Sequence, residues 1–301
     1  MKPRHAIVLS IVVLQLVLVP VAAAQESQTL TIFAAASLTD VFQEMADRFV
    51  ELNPAADIIF NFAGSSTLAT QLIEGANADV FASANLKQIQ AVVDAGRIIQ
   101  PVSIFARNRL VVITPIDNPS SLSTLSDLAR PGVKLILAAP GVPVRDYTDT
   151  MLQTLALDAD YGSAYPEAVL LNLASEEDNV RQVVAKVALG EADAGIVYQS
   201  DVTPDLNDLI QTITIPDEVN VLAAYPIGII ENTPNPSFAK AFVDYALSED
   251  GQAILMKWNF IGKCPASLNL SLTPPIQSTT QPASTSAPTG EPDPAFAGCP
   301  A

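Results

Sequence analysis

The sequence predicts an α/β protein of two lobes, each built on a mainly parallel sheet flanked by helices, with a cleft between them. The chain has 301 residues, of which 49% are hydrophobic and 16% charged, so it can bury a large core. Between Gln25 and Cys264, segments with strand periodicity alternate with segments of helical periodicity. This alternation falls into two similar halves, which is typical of two lobes.

In the first half, short apolar runs rich in strand-forming residues are separated by amphipathic segments. Apolar residues recur at helical spacing from Leu38 to Phe49, and two shorter helical segments end at Gly75 and Gly96. The predicted strands are residues 29–34, 57–62, 79–82 and 109–114.

The second half repeats this pattern. Four valines from Val180 to Val187 lie on one helical face, and Gly190 ends that helix. The other predicted helices are residues 147–157, 237–247 and 251–258. The predicted strands are residues 133–138, 192–198 and 222–230.

The predicted domain organisation is discontinuous. Residues 25–112 and 226–264 are assigned to lobe 1 and residues 113–225 to lobe 2. The chain is then expected to cross between lobes near residues 109–115 and again near 224–230, which would give a two-strand hinge.

Residues 1–24 are predicted to be a secretory signal peptide. Lys2 and Arg4 precede an apolar run, and Ala22-x-Ala24 provides a small-residue cleavage site. An uncleaved membrane anchor is the alternative, although the run is short for a membrane span. The sequence thus predicts export across the cytoplasmic membrane, to the periplasm or the cell surface.

Residues 265–301 are predicted to be a disordered tail, because this segment is rich in Pro, Ser and Thr and contains no Lys or Arg. Cys264 and Cys299 bracket the tail. Export makes a disulfide between them chemically possible, and free thiols or links to other chains are the alternatives.

Charge and residue usage exclude several functions. The net charge of −17 disfavours nucleic-acid binding, because an acidic chain repels phosphates. The single histidine, His5, lies in the predicted leader, so the mature chain would have neither a Ser-His-Asp triad nor a His-ligated metal. The sequence also lacks G-x-S-x-G, a P-loop and a G-x-G-x-x-G motif. We therefore expect no enzyme activity, no catalytic residues and no cofactor.

Two strand ends in the first half carry small, hydroxyl-rich turns. The segment F-A-A-A-S-L-T-D places Ser37 between strand and helix, with Asp40 three residues later. Ser37 either caps the helix in a capping box or directs its hydroxyl at an anion. The segment F-A-G-S-S-T-L contains Ser65 and Ser66 in the same position relative to its strand. Ligands bind at such strand ends in open α/β sheets.

Three strand ends in the second half complete the set. The loop A-P-G-V-P-V-R-D-Y offers the backbone N–H of Val144, and S-E-E-D-N-V-R leads through Val180 into a helix. The segment G-I-V-Y ends in Tyr198, whose phenol is either a ligand donor or a satisfied core group.

These five motifs, in this order and spacing, resemble the molybdate-binding proteins of ABC transporters over residues 29–262. The resemblance implies a two-lobed periplasmic-binding-protein-like fold with a tetrahedral oxyanion held between the lobes. Its ligands would be the hydroxyls of two serines and a tyrosine and two backbone amides. By motif these are Ser37, Ser65, Val144, Val180 and Tyr198, with Ser65 favoured over Ser66 because it aligns with F-A-x-S.

The resemblance also implies a function. The protein would capture molybdate or tungstate as a monomer and deliver it to the membrane permease of an ABC transporter. The oxyanion would contact the same five residues, with no protein ligand to a metal cation. Arg145 stands where small residues are common in the family, so its side chain faces either the site or solvent.

Alternatives remain at this point. A protein of the same class could bind sulfate or another tetrahedral oxyanion. A secreted carboxylate-dependent hydrolase would need two carboxylates about 5–10 Å apart in the cleft. A structural or adhesive surface protein would suit the tail, but it leaves the hydroxyl-rich turns unexplained.

Overall fold

The computed structural model describes residues 28–263 and 269–270. These residues form two sheets, each flanked by helices, and the predicted two-lobed α/β fold class is confirmed. The predicted leader, both cysteines and the tail other than residues 269–270 lie outside the described residues.

The chain begins with alternating strands and helices. These are β1 (Gln28–Ala35), α1 (Thr39–Leu52), β2 (Ala56–Ala63), α2 (Ser65–Ile73), β3 (Val80–Ala82), α3 (Leu86–Asp94) and β4 (Ile98–Asn108). The middle of the chain contains β5 (Leu110–Pro115), β6 (Leu135–Ala138), α4 (Pro143–Ala156), α5 (Tyr165–Leu170), β7 (Leu173–Glu177), α6 (Val180–Ala188), β8 (Ala194–Tyr198) and β9 (Ile210–Thr214). The remaining elements are β10 (Ala223–Ile230), α7 (Pro236–Ala246), α8 (Glu249–Lys257), β11 (Ile261–Gly262) and β12 (Asn269–Leu270).

The first sheet has the strand order β11-β4-β10-β3-β1-β2, with β12 also paired to β4, and with its helices it forms lobe 1. The second sheet has the order β7-β6-β8-β5-β9 and forms lobe 2. The chain passes from lobe 1 to lobe 2 at Arg109, between β4 and β5. It returns between β9 and β10.

Both sheets are mixed, which corrects the expectation of mainly parallel sheets. β1 pairs in parallel with β2 and β3, and β6 pairs in parallel with β7 and β8. The strands that follow the two crossings, β5 and β10, run antiparallel to both of their neighbours. Alternation along the chain cannot reveal this, because β5 and β10 each enter a sheet directly from the other lobe rather than through a helical crossover.

Helix α1 shows how an amphipathic segment docks on the first sheet. Val41, Phe42, Met45 and Phe49 recur at helical spacing and are all buried. The ring of Phe42 lies 5.6 Å from that of Phe105 on β4. Burying one such side chain contributes roughly 1.5–3 kcal/mol. This packing fixes the start of α1 relative to the end of β1, where the candidate site lies.

Several elements were not predicted or begin elsewhere. Strand β4 was missed because Pro101 interrupts its apolar run, and the register of β4 with β10 shifts beside this proline. Helix α4 starts at Pro143 rather than at residue 147, because proline is favourable in the first turn. Helix α5 and strands β7 and β9 were also missed. The two-residue strand β12 lies within the segment predicted to be a disordered tail.

A capping box on the surface of lobe 2 gives a pH-dependent prediction. Asp127 Oδ2 accepts hydrogen bonds from the N–H groups of Ser123 and Thr124, each at 2.9 Å. These bonds lower the pKa of Asp127 to about 2. A depressed carboxyl pKa stabilises the fold above the unfolded-state value, and this contribution is lost as the pH falls through the folded-state value.

Replacing Asp127 with Ala should therefore lower the free energy of unfolding at pH 7 by about 1 kcal/mol. The difference from the unchanged protein should narrow once the pH drops below about 4. Urea unfolding at pH 7, 5 and 3 measures both effects. An equal difference at pH 7 and pH 3 would contradict this account.

Candidate functional site

The carboxyl ends of six strands, from both lobes, meet around one small cavity. Each of these strands ends within a few residues of a cavity-lining residue; they are β1, β2, β3, β6, β7 and β8. The cavity is small and holds about one water molecule, so a larger solute would require its walls to move apart. All five residues singled out in the sequence line it: Ser37, Ser65, Val144, Val180 and Tyr198.

Ser37 does not form the capping box that its spacing to Asp40 suggests. Ser37 is 2% exposed, and its Oγ lies 2.9 Å from the hydroxyl oxygen of Tyr225 in a hydrogen bond. Helix α1 begins at Thr39 without a side-chain cap, and the Asp40 carboxylate pairs with Arg181 instead. The serine hydroxyl is therefore held at the cavity by a neighbouring phenol.

Ser65 is the first residue of α2 and is 1% exposed. Its Oγ accepts a hydrogen bond from the N–H of Ala84 at 3.0 Å. Because the oxygen is fixed as an acceptor, the hydroxyl proton can be donated to a group in the cavity.

Val144 and Val180 lie in the first turns of α4 and α6, where backbone N–H groups have no partner within the helix. Asn179 caps α6 by accepting from the N–H of Gln182 at 3.2 Å, so this cap does not occupy the N–H of Val180. The positive ends of both helix dipoles thus face the same cavity.

Tyr198 ends β8 and is 1% exposed. Among the described residues its hydroxyl has no hydrogen-bond partner, although buried phenols nearly always have one. Burial, and next the neighbouring Tyr225, raise the pKa of Tyr198 well above its usual value. The hydroxyl is therefore protonated at neutral pH and can donate. A satisfied core tyrosine, the alternative from sequence, does not fit this environment.

Arg145 is engaged within lobe 2. Its Nε donates to Asp149 at 2.8 Å and its Nη1 donates to Glu176 at 2.6 Å. A third bond of 3.2 Å goes to the carbonyl of Ala138. The guanidinium is thus occupied by carboxylates and does not line the cavity.

Tyr225, which no sequence motif singled out, lies on β10 and is fully buried beside Ser37. The signal was a lone phenol within the apolar run A-A-Y-P-I-G-I-I. The partnership of Asp40, Arg181 and Asp201 was also missed, since it joins segments that are far apart in sequence.

The cavity wall is electrically neutral in its side chains. Of the described residues, those lining it include no Lys, Arg, Asp or Glu. No group of three or more His, Cys, Asp or Glu in residues 28–263 and 269–270 is placed to hold a metal cation. The arrangement is therefore a ring of neutral donors at helix starts. That donor set fits a multiply charged oxyanion, and the wall does not supply the carboxylate pair a hydrolase would need.

A two-lobed fold with a donor-lined cavity between the lobes defines a solute-binding protein. The chain belongs to the family described as bacterial extracellular solute-binding protein, which matches residues 30–261. It is 34% identical to the molybdate-binding protein ModA of Mycobacterium tuberculosis strain H37Rv, over 80% of this chain and 87% of that protein.

Two solved structures share the fold. The periplasmic molybdate-binding protein of Azotobacter vinelandii superposes with a TM-score of 0.67 at 19% identity, covering 78% of this chain and 100% of that chain. The sulfate-binding protein SubI of Mycobacterium tuberculosis H37Rv gives 0.71 at 18% identity, with coverages of 79% and 88%. At these identities the likeness shows the fold and leaves the ligand to be argued from the site.

Proposed function

We propose that this protein captures molybdate or tungstate in the cavity between its lobes and presents it to the membrane permease of an ABC transporter. The observation that carries the proposal is the buried Tyr198 hydroxyl, which has no hydrogen-bond partner in the described part of the chain and lines a cavity with other donors. The 34% identity to a molybdate-binding protein supports the choice of ligand.

The donor set explains how an acidic protein could hold a dianion. Hydroxyls of Ser37, Ser65 and Tyr198 and the amides of Val144 and Val180 would each donate to a ligand oxygen. Helix starts add partial positive charge, and no cationic side chain is needed. A protonated ligand oxygen would meet a donor and lose about 1–3 kcal/mol, so the site selects the fully deprotonated anion.

Ligand size should decide among tetrahedral oxyanions. Molybdate and tungstate are nearly equal in size, so a ring of fixed donors would hardly separate them. Sulfate is smaller and would leave some donors beyond hydrogen-bond range. Because a sulfate-binding protein has the same fold, sulfate is the most informative competing anion to test.

The proposal extends to location and partners. The protein would act outside the cytoplasmic membrane as a monomer, without a cofactor and without enzymatic activity. In the described part of the chain, no helix has the length and apolar character needed to cross a membrane. The permease would recognise the closed form, which the ligand favours by contacting both lobes at once.

Thermal unfolding of the full chain with molybdate, tungstate, sulfate or phosphate tests the proposal. Ligand at about 100 times its dissociation constant adds roughly 2.7 kcal/mol, which should raise Tm by several degrees. We expect shifts with molybdate and tungstate only. A shift with sulfate alone would change the ligand, and no shift with any of the four anions would refute oxyanion binding.

Tyr225 offers a prediction about the position of Ser37. The phenol lies beside the Ser37 hydroxyl and, together with Asn108, forms a buried polar chain behind it. If Tyr225 donates to Ser37, the serine proton is left for the ligand. Replacing Tyr225 with Phe should weaken molybdate binding about three- to tenfold, the value of one neutral hydrogen bond.

Isothermal titration of the Tyr225 variant measures this effect. Replacing Tyr245 with Phe is the control, because Tyr245 lies on α7 and does not line the cavity. Unchanged affinity in the Tyr225 variant would show that Ser37 needs no such support.

A further inference from the structure

Arg181 connects the two lobes next to the candidate site. It directly follows Val180 at the start of α6 in lobe 2. Its Nη2 donates to the Asp40 carboxylate on α1, in lobe 1. Its Nε lies 3.1 Å from Oδ1 of Asp201, in lobe 2. The side chains of Arg181 and Asp40 are 26% and 31% exposed, so water screens their attraction only in part.

Asp201 links this guanidinium to the end of β8. Asp201 is fully buried, and its Oδ2 accepts a hydrogen bond from the N–H of Tyr198 at 3.1 Å. Burial raises the pKa of Asp201 to about 6, and the charge of Arg181 opposes this rise. Each of the three charged residues thus lies next to a cavity-lining donor. Asp40 is on the helix that follows Ser37, Arg181 directly follows Val180, and Asp201 accepts a hydrogen bond from the N–H of Tyr198.

The bridge has to break when solute enters or leaves. Ser37, Ser65 and Tyr198 are at most 2% exposed, so a ligand reaches them only when the lobes separate. The backbones are also close at this point, because a Cβ added to Gly64 in lobe 1 would lie 2.4 Å from the Asp178 carbonyl oxygen in lobe 2. Separation of these segments would pull Asp40 away from Arg181.

Other polar contacts between the lobes join elements other than α1 and α6, for example α3 and the segment around the start of α4. Lys87 Nζ donates to Asp146 at 3.0 Å, with the lysine mostly exposed, and Gln88 Nε2 donates to the Gly141 carbonyl at 2.9 Å. The bridge through Arg181, in contrast, joins α1 to α6.

We infer that Asp40, Arg181 and Asp201 are positioning residues that hold the cleft closed around the bound oxyanion and slow its release. This inference rests on the proposed function. Because separation of the lobes would break the bridge, its free energy stabilises the closed, liganded state relative to the open one. These three charged residues would therefore slow release of the anion without contacting it.

Replacing Asp40 with Asn tests this, because two physical effects predict opposite signs. Asp40 carries negative charge near an anion site, so electrostatic repulsion alone predicts tighter binding in the variant. Loss of the bridge predicts weaker binding. We expect molybdate to dissociate about tenfold faster and Kd to rise by a similar factor. The Tm of the ligand-free protein should stay unchanged, which a structural role within one lobe would not allow.

Stopped-flow release and isothermal titration with molybdate supply the two readouts. Replacing Asp47 with Asn is the matched control, since it removes the same charge from an exposed position on the same helix. Replacing Arg181 with Lys is the second variant. An ammonium lacks the fork that reaches both carboxylates, so release should again be faster.

The outcomes separate the two proposals. If the unchanged protein fails to bind molybdate, the proposed function fails. If it binds, and the Asp40 variant binds equally well or more tightly, the positioning role is overturned while the proposed function stands. Faster release in the Asp40 and Arg181 variants, with none in the Asp47 variant, supports it.

Discussion

Replacing Tyr198 with Phe is expected to weaken molybdate binding about ten- to a hundredfold. A hydrogen bond to a charged group contributes about 1.5–3 kcal/mol, and this hydroxyl has no other partner among the described residues. For the same reason the ligand-free protein should lose no stability. Removing a buried hydroxyl that makes no hydrogen bond removes a cost rather than a contact.

Isothermal titration and ligand-free thermal unfolding together measure both halves of this prediction. Replacing Tyr165 with Phe is the control, for which we expect the opposite effects on affinity and stability. The Tyr165 hydroxyl is buried and donates to the Leu125 carbonyl, away from the cavity, so its loss should lower Tm and leave affinity unchanged. A Tyr198 variant that binds as tightly as the unchanged protein would remove the phenol from the donor set.

Replacing Val180 with Pro should have an effect of similar size by removing a backbone donor. Val180 is the first residue of α6, a position where proline is favourable because the N–H has no helical partner. The preceding residue, Asn179, has φ −159° and ψ 167°, an extended conformation that a following proline permits. The helix should therefore form normally while the ligand loses one N–H donor.

Replacing Val180 with Ala controls for lost side-chain packing, since Val180 is 4% exposed. Both variants lose much of the valine side chain, and only the proline variant loses the N–H. We expect Kd for molybdate to be about tenfold or more higher in the proline variant than in the alanine variant. Equal affinities would show that this amide does not bind the ligand.

The residues that line the cavity were easier to predict from the sequence than the strand directions in the sheets. Ser37, Ser65 and Tyr198 were singled out because each lies close to the end of a predicted strand, and strand ends of open α/β sheets converge. That rule needs only local patterns. Strands β5 and β10 run antiparallel to their neighbours because each enters its sheet directly from the other lobe. Hydrophobic periodicity carries no information about these crossings.

The missed residues share a physical reason. Tyr225 meets Ser37 across 188 positions of sequence, and Arg181 meets Asp40 across 141. The spacing of Ser37 and Asp40 predicts a local capping box. In the structure these two residues instead contact Tyr225 and Arg181, which are distant in sequence. The disulfide proposed between Cys264 and Cys299 stays a prediction, since both residues lie outside the described part of the chain.

A crystal structure of the tungstate-bound protein, with anomalous scattering used to locate tungsten, tests the central claim most directly. We predict one strong anomalous peak in the cavity between the lobes. The oxygens of the bound tungstate should lie about 2.7–3.0 Å from the hydroxyls of Ser37, Ser65 and Tyr198 and from the amides of Val144 and Val180. Tungsten bound elsewhere, or an anion facing carboxylates in place of these donors, would contradict the account.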